Sequence, residues 1–295
     1  MKNSLYLFLC VPFLLFNCKT DKKSNDTINE VVNEVIIDST VNEVVNEVII
    51  DSTTIEVAEP ISEVPFEYIK DGIQVTAISH ATMVIEYNDT AIYIDPVGGK
   101  EAFANEKAPT FILVTDIHGD HLNVETIQEV STASTVIIGP EAVKEKMSEE
   151  LLKNYTSIFN GLGRSFQTSK INLEVEAIAM YNLPEEETSR HPKGRGNGYV
   201  LTINKKRIYI SGDTEDIFEM RQLKDIDIAF VCMNQPYTMT VDSAASAVLQ
   251  FKPKEVFPYH YRGQDGFSDV DKFKSLVNEV NRDINVVQLD WYHNR

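Results

Sequence analysis

The sequence predicts a mixed α/β fold, an αββα sandwich of four layers in which two β-sheets pack face to face with helices outside. From residue 66 onward, a run of short antiparallel strands is followed by strand–helix units, and the same order then repeats. The apolar fraction of 43% over 295 residues is enough for one large domain with a full core.

Ten strands are predicted from apolar runs rich in β-branched and aromatic residues. They lie at residues 73–78, 83–87, 91–94, 111–114, 134–138, 171–180, 199–203, 207–210, 226–231 and 254–257. Asn88-Asp89 and Asn204-Lys205 are turn sequences that join neighbouring strands into hairpins. The unbroken apolar stretch 111–114 is typical of a strand buried on both faces.

Helices are predicted between the later strands of each half. Asn123 can cap one helix, and Pro140 is suited to begin another. Thr240 or Asp242 can cap a helix that precedes the strand at 254–257, and a last helix follows residue 267.

Four potential metal ligands lie within six residues, directly after the stretch 111–114. They are Asp116, His118, Asp120 and His121. Imidazole and carboxylate together suit divalent metals of the zinc, manganese and iron group. Ligand sites in open α/β sheets lie beyond the carboxyl ends of strands. The run therefore predicts metal-assisted hydrolysis.

Further candidate residues are spread along the rest of the chain. Asp213 and His260 each follow a predicted strand, and His191 lies in a polar loop. His80 ends the first predicted strand, where it could contact a substrate, orient a metal ligand or only cap the strand.

This set of residues resembles the metallo-β-lactamase superfamily over residues 66–295. The run 116–121 is similar to that family's His-x-His-x-Asp-His signature, with Asp116 where the first histidine is usual. Gly212-Asp213-Thr214 resembles its bridging-aspartate motif, and Pro258-Tyr259-His260-Tyr261 resembles the segment of its last metal histidine. The segments similar to the ascorbate-6-phosphate lactonase branch are 79–82, 93–96, 191–194 and 237–240.

The resemblance implies a metallo-β-lactamase-like fold with two divalent metal ions, zinc first and manganese or iron as alternatives. The first ion would be held by Asp116, His118 and His191. The second would be held by Asp120, His121 and His260, with Asp213 bridging the two. Two neighbouring cations would activate a water molecule as the nucleophile and polarise the bond that is cleaved.

Several roles within this site stay open. We expect Asp120, as ligand or proton acceptor, and His80 to take part in catalysis. Asn182 is an alternative to His191 as a metal ligand. Asp116 makes the first site harder and more anionic than a histidine would, which favours manganese or iron or weakens the site.

Charged residues near the predicted site have two interpretations. Arg195, Lys193 and Arg262 could bind an anionic substrate or could simply be solvated at the surface. Asp95 could orient a metal ligand or cap the turn before Pro96.

The N-terminus predicts export and a lipid anchor. Residues 1–17 hold a short basic start and about a dozen apolar residues, which is typical of a signal peptide. The apolar run closes on Cys18 and resembles the lipobox of bacterial lipoproteins. That resemblance implies a lipidated Cys18 that anchors the protein to a bacterial membrane outside the cytoplasm, with the outer membrane favoured. An ordinary secretory signal is the alternative.

Residues 18–65 predict an acidic tether between this anchor and the domain at 66–295. The segment 28–40 is repeated almost identically at 41–53, and two copies of a 13-residue unit are too few to build a solenoid. A strand that binds a partner is the alternative interpretation of the repeat.

The leading functional prediction is a membrane-tethered metal-dependent hydrolase. It would cleave an ester, lactone or phosphodiester-type bond in a small-molecule or lipid substrate. The net charge of −18 argues against a nucleic-acid partner, which needs a basic surface. The alternatives are a non-catalytic metal-binding or surface-interaction lipoprotein that retains the fold, and a structural lipoprotein that works through its tether. The oligomeric state is left open.

Overall fold

The structure, a computed structural model, describes residues 64–293. The predicted signal peptide, Cys18 and nearly all of the tether lie outside the described residues, so these remain predictions. Within the part of the chain that is described, no helix has both the length and the apolar character needed to cross a membrane.

The first sheet contains seven strands in sequence order. They are β1 (Glu67–Lys70), β2 (Ile73–Ser79), β3 (Thr82–Tyr87), β4 (Thr90–Ile94), β5 (Pro109–Leu113), β6 (Val136–Gly139) and β7 (Tyr155–Ser157). Strands β1 to β4 pair antiparallel, and β4 to β7 pair parallel. The sheet therefore changes from hairpins to crossover connections at β4.

The second sheet repeats this change of direction. Its strands are β8 (Gly163–Gln167), β9 (Asn172–Met180), β10 (Gly196–Ile203), β11 (Lys206–Ile210), β12 (Ile228–Cys232), β13 (Glu255–Tyr259) and β16 (Asn285–Val286). Strands β8 to β11 pair antiparallel in order, and β11, β12, β13 and β16 pair parallel. A separate hairpin joins β14 (Arg262–Gly263) to β15 (Gly266–Phe267).

Helices occupy the crossover connections. They are α1 (Val124–Val130), α2 (Glu141–Lys144), α3 (Phe218–Arg221), α4 (Val241–Phe251) and α5 (Val270–Val280), with 3₁₀ turns at Lys100–Phe103 and Leu151–Asn154. Asn123 caps α1 as predicted, and its side chain accepts a hydrogen bond from the Thr126 N–H at 2.8 Å. Of the two predicted caps for α4, Thr240 is the one used.

The core confirms the four-layer arrangement. One buried cluster joins the facing sides of both sheets, with Val75 and Ile85 from the first and Val175 from the second. The same cluster continues beneath α4 and α5. A smaller cluster on the other side of the first sheet packs Ile112 against Ile127 of α1. The predicted fold class is therefore confirmed, because each sheet buries one face on the other sheet and one face under helices.

All ten predicted strands are present, with ends that differ by a few residues. The strands that were not predicted are short or polar. Four of the five residues of β8 are exposed, and β14, β15 and β16 have two residues each. An exposed edge strand carries no apolar run, so hydrophobic patterning does not identify it.

Candidate metal centre

The predicted site residues lie at one edge of the two sheets. Strands β4 and β5 are parallel, as are β11, β12 and β13, so within each sheet their carboxyl ends point the same way. The run 116–121 follows β5, Asp213 follows β11 and His260 follows β13. His191 lies in the connection from β9 to β10, at this same edge. Residues far apart in sequence are thereby brought together.

Three site residues have a left-handed backbone that is uncommon outside glycine. The φ angles are 53° at His80, 46° at Asp95 and 46° at His260. Each such residue costs on the order of 1–3 kcal/mol and persists only where its surroundings hold it. The His260 N–H donates to the His80 carbonyl at 3.2 Å, and the His80 N–H donates to the Trp291 carbonyl at 3.1 Å. These bonds fix the two imidazoles next to each other.

Gly212 allows Asp213 to enter the site. Its φ is +59°, and a Cβ added there would lie 2.6 Å from the Met180 sulfur and 3.2 Å from the Thr115 Cβ. Only glycine combines this conformation with so close an approach. The predicted Gly-Asp-Thr segment therefore has a steric as well as a chemical basis.

One ligand set consists of Asp120, His121, Asp213 and His260. The Nε2 atom of His260 lies 3.0 Å from Asp213 Oδ1, 3.1 Å from His121 Nε2 and 3.5 Å from Asp120 Oδ2. All members except Asp120 are fully or almost fully buried. Four potential ligand atoms thus converge at one point.

The other ligand set consists of Asp116, His118 and His191. Asp116 Oδ2 lies 2.7 Å from His118 Nδ1 and 3.9 Å from His191 Nε2. Asp213 Oδ2 lies 3.3 Å from His191 Nε2 and also 3.3 Å from His121 Nε2, which belongs to the set with Asp120 and His260. Asp213 therefore contacts both sets.

The chemistry of these atoms fits metal ions better than mutual hydrogen bonds. His191 Nε2 and Asp213 Oδ1 are buried and have no hydrogen-bond partner among the described residues, despite their short contacts. Buried polar atoms without partners are rare in folded proteins and call for an explanation. Neutral imidazole nitrogens and carboxylate oxygens directed at common points are the donors that zinc, manganese or iron would use.

Asp95 holds His121 in position. Its Oδ2 lies 2.8 Å from His121 Nδ1 and accepts from the Thr115 hydroxyl at 2.6 Å, while Oδ1 accepts from the Thr115 N–H at 2.7 Å. When the carboxylate accepts a hydrogen bond from His121 Nδ1–H, the Nε2 lone pair of His121 is directed into the site. Of its two predicted roles, Asp95 therefore has the contacts of a residue that orients a metal ligand.

Asn182 holds His191 in a similar way. Its Oδ1 accepts from the His191 N–H at 2.8 Å and lies 3.1 Å from His191 Nδ1, and its amide nitrogen donates to the Tyr237 carbonyl at 2.8 Å. Both ends of the Asn182 amide are thus engaged, the oxygen by His191 and the nitrogen by Tyr237. The geometry therefore brings His191 into the ligand set and Asn182 behind it.

Burial and charge oppose each other in the centre. Burial raises the pKa of Asp213, but His260 and His121 outweigh this and hold its pKa well below the usual value. Burial lowers the pKa of His121, yet Asp213 and Asp95 together raise it well above the usual value. The Asp213 carboxylate is thus ionised and stabilised by the positive charge of the neighbouring histidines. A bound cation would supply that positive charge in their place.

His80 lies beside Asp120 at the open side of the centre. Its Nε2 is 3.5 Å from Asp120 Oδ2, and its Nδ1 is 2.9 Å from the Tyr292 hydroxyl. Burial lowers the pKa of His80 to about 4, despite the neighbouring carboxylate. The Tyr292 oxygen accepts from the Arg262 N–H at 2.9 Å, and its own proton is available for donation to His80 Nδ1 when the His80 proton is on the other ring nitrogen. The Asp120 carboxylate facing Nε2 favours this tautomer, with the His80 proton on Nε2.

A cleft of about 160 Å³ opens onto this side. It is lined by His80, Asp120, Asp213, Asn234, Tyr237 and Gln264, together with Arg190 and Arg262. The Arg190 guanidinium lies over the Tyr237 ring and that of Arg262 over the Tyr292 ring. Neither forms an ion pair with a carboxylate of residues 64–293.

The other two predicted cations have carboxylate partners. Lys193 pairs with Glu219 at 3.0 Å. Arg195 donates to both oxygens of Asp116, at 3.2 Å and 3.1 Å. Sequence reasoning missed this last pair, and it also missed Arg190 and Tyr292. The signal in the sequence that could have indicated the Arg195–Asp116 pair is Asp116 itself, an acidic residue where the family motif has a neutral histidine.

Comparison with known proteins supports the family. Residues 74–260 match the model of the beta-lactamase superfamily domain. A UPF0173 metal-dependent hydrolase of Pyrococcus furiosus is 29% identical over 218 residues, which cover 70% of this chain and 93% of that protein. A UPF0173 metal-dependent hydrolase of Bacillus pumilus is 28% identical over 196 residues, which cover 64% of this chain and 86% of that protein.

Solved structures agree. The crystal structure of a protein described as a metal-dependent hydrolase from Parabacteroides distasonis is 35% identical and covers 76% of this chain and 97% of that chain, with a TM-score of 0.65. Igni18, a metallo hydrolase from Ignicoccus hospitalis, has the same fold, with 19% identity and a TM-score of 0.58. The match covers 72% of this chain and 93% of Igni18. The chain therefore belongs to the metallo-β-lactamase superfamily and is a metal-dependent hydrolase.

Proposed function

We propose that this hydrolase holds two divalent metal ions and cleaves an ester, lactone or phosphodiester-type bond. The position of Asp213 carries the proposal. Its Oδ2 lies 3.3 Å from His191 Nε2, and its Oδ1 lies 3.0 Å from His260 Nε2. A carboxylate between two ligand sets is the arrangement that supports two neighbouring cations.

Seven side chains would hold the metal ions. The first set is Asp116, His118 and His191. The second is Asp120, His121 and His260, with Asp213 shared between the sets. Zinc suits these ligands best, and the additional carboxylate of Asp116 leaves manganese or iron as alternatives. When bound, the ions would supply an activated water molecule and polarise the scissile bond.

Asp120 would accept protons and His80 would donate them at the cleft. Burial raises the pKa of Asp120, but His80, His121 and His260 outweigh this and hold its pKa below the usual value. Asp120 is therefore ionised at neutral pH, when it can accept a proton or ligate a metal. His80 is uncharged at that pH, so its Nε2–H can donate to Asp120 or to a substrate oxygen. In this tautomer, His80 Nδ1 would accept from the Tyr292 hydroxyl.

The substrate would carry an acidic group. Arg190 and Arg262 line the cleft without carboxylate partners of their own among the described residues, although the chain carries a net charge of −18. Unpaired guanidinium groups bind carboxylates and phosphates by paired hydrogen bonds. A cleft of about 160 Å³ accepts a compact reacting group. These features favour a carboxylated or phosphorylated ester or lactone, as expected for the lactonase-like branch, or a phosphodiester.

Metal content is the first test of this function. The full chain, purified without an affinity tag, is dialysed to equilibrium against zinc or manganese, and bound metal is measured by mass spectrometry. We expect about two equivalents at saturation, with losses in His118→Ala and Asp213→Ala. Binding below about half an equivalent at saturation would contradict the proposal.

Substrate charge is the second test. Lactones, carboxylate esters and phosphodiesters are screened with the metal-loaded protein, each as an acidic compound and a neutral analogue. Arg262→Gln and Arg190→Gln should raise KM for the acidic compound about tenfold or more and leave KM for the neutral analogue unchanged. Equal effects on both analogues would rule out charge recognition.

We also propose that residues 18–65 tether the domain to a bacterial membrane through a lipidated Cys18. The supporting observation is the apolar run that ends at this cysteine. Expression in a Gram-negative host should place the full chain in the outer-membrane fraction, with Cys18→Ser released as a soluble or unprocessed form. Unchanged fractionation of Cys18→Ser would refute the anchor.

A further inference from the structure

Arg195 is bonded to a residue of the first ligand set. Its Nε donates to Asp116 Oδ1 at 3.2 Å and its Nη2 donates to Asp116 Oδ2 at 3.1 Å. The Asp116 side chain is fully buried, and that of Arg195 is 21% exposed. This two-bond pair is the geometry in which a guanidinium binds a carboxylate most strongly.

The backbone holds this pair in register. Arg195 immediately precedes β10, and the Asn197 N–H donates to the Thr115 carbonyl at 2.9 Å. Asp116 follows Thr115 directly, so the start of β10 is fastened beside the metal-ligand run. The Arg195 Nη2 atom also lies 3.4 Å from His118 Nε2. The guanidinium therefore contacts two of the three residues in the first set.

The pair makes the two ligand sets electrically different. In the first set, the charge of Asp116 is cancelled by Arg195, so the pair has the net charge of the neutral histidine that the motif usually has there. In the second set, Asp120 keeps its negative charge, because no arginine or lysine of residues 64–293 forms an ion pair with it. The charge of Asp213 is shared by both sets and does not distinguish them. A divalent cation in the first set meets a guanidinium bonded to its ligand, whereas one in the second set does not.

We propose that Arg195 makes the two metal sites unequal, so that the second set binds its ion first and the first set fills only at higher metal concentration. This inference rests on the two-metal centre of the proposed function. Asp116 still has a lone pair on Oδ2 that faces His118 and His191, because a carboxylate offers about four lone-pair positions and Arg195 uses two. Arg195 therefore lowers the metal affinity of the first site, but Asp116 can still act as a ligand there.

Calorimetric titration of the metal-free full chain with zinc tests the inference. In the wild type we expect two steps whose dissociation constants differ at least about tenfold. His260→Ala should remove the tighter step and His118→Ala the weaker one. Arg195→Gln should strengthen the weaker step about tenfold or more and leave the tighter step unchanged. Arg195→Lys keeps the charge and should leave two separate steps.

Arg207→Gln is the matched control. Arg207 forms an arginine–carboxylate pair with Glu176 at 2.8 Å, at the end of β11 away from the site, so the variant removes the same charge and should leave both steps unchanged. Two zinc-binding steps with equal dissociation constants in the wild type would overturn the inference. This outcome is measured on the wild type alone, so it does not depend on the folding of any variant. A weaker step that is reduced in Arg195→Gln would also overturn it, by making Arg195 a support for Asp116. Absence of both steps would overturn the proposed function itself.

Discussion

Asp95→Asn is the substitution that separates metal binding from folding most cleanly. Asp95 is fully buried and accepts three hydrogen bonds, two from Thr115 and one from His121. The substitution preserves shape, and asparagine tolerates the left-handed backbone at this position, where φ is 46°. Any effect therefore comes from losing the negative charge and from replacing one acceptor oxygen by a donor NH₂ group.

Both orientations of the new amide are unfavourable. If the amide oxygen faces the Thr115 N–H, the NH₂ group faces His121 Nδ1 and moves the imidazole proton to Nε2, which then cannot bind a metal. If the amide is reversed, the Thr115 N–H loses its acceptor, at a cost of about 1–3 kcal/mol. We therefore expect zinc affinity at the second set to fall about 10–100-fold, or about 1.4–2.7 kcal/mol.

Competition with a chromophoric chelator measures this affinity in the metal-free protein, and circular dichroism checks the fold. Asp227→Asn is the matched control, because it makes the same change at a buried carboxylate outside the site and should leave zinc affinity unchanged. Zinc affinity of Asp95→Asn within about twofold of wild type would refute the role of Asp95 in orienting His121.

Three further predictions concern other parts of the fold. Asn182→Ala should weaken only the zinc step of the first set, about 10–100-fold, because His191 loses the acceptor that orients it; an equal loss at both steps in calorimetry would contradict this. For Asp227, burial raises the pKa, but Lys254 at 2.7 Å and a backbone N–H outweigh burial and lower it. Its stabilising contribution is therefore present above its unfolded pKa of about 3.9 and is lost as the pH falls through the folded pKa. In urea denaturation, Asp227→Asn should be less stable by about 1–3 kcal/mol at neutral pH, and a difference that did not shrink in acid would refute this. Gly198→Ala should lower the free energy of unfolding by about 1–3 kcal/mol, because the added Cβ would lie 2.8 Å and 3.0 Å from two carbonyl oxygens. A urea midpoint equal to that of the wild type would contradict this prediction.

Local sequence signals predicted much of the fold. The buried strands are continuous apolar runs, and the Asn123 and Thr240 caps depend on residues within three positions. The run 116–121 was identifiable because its ligand types and its place after a buried strand are both local features. Edge strands such as β8 carry no such signal, since their pairing is decided by the strand beside them.

Contacts between distant segments could not be derived in this way. Arg195 lies 79 residues from Asp116, and only the docking of β10 beside the metal-ligand run brings them together. Tyr292 reaches His80 from 212 residues away. The choice between His191 and Asn182 also depended on side-chain direction in a loop, which spacing does not determine. The superfamily resemblance correctly predicted fold and enzyme class, whereas the lactonase-like branch remains a prediction.

Anomalous diffraction from crystals of the full domain soaked in zinc tests the central claim most directly. The account predicts two anomalous peaks on either side of Asp213, one within ligand distance of His121 and His260 and one within ligand distance of His118 and His191. At low zinc concentration the peak at His121 and His260 should be the stronger. Peaks located elsewhere, or no peak within ligand distance of Asp213 at saturating zinc, would contradict the two-metal centre.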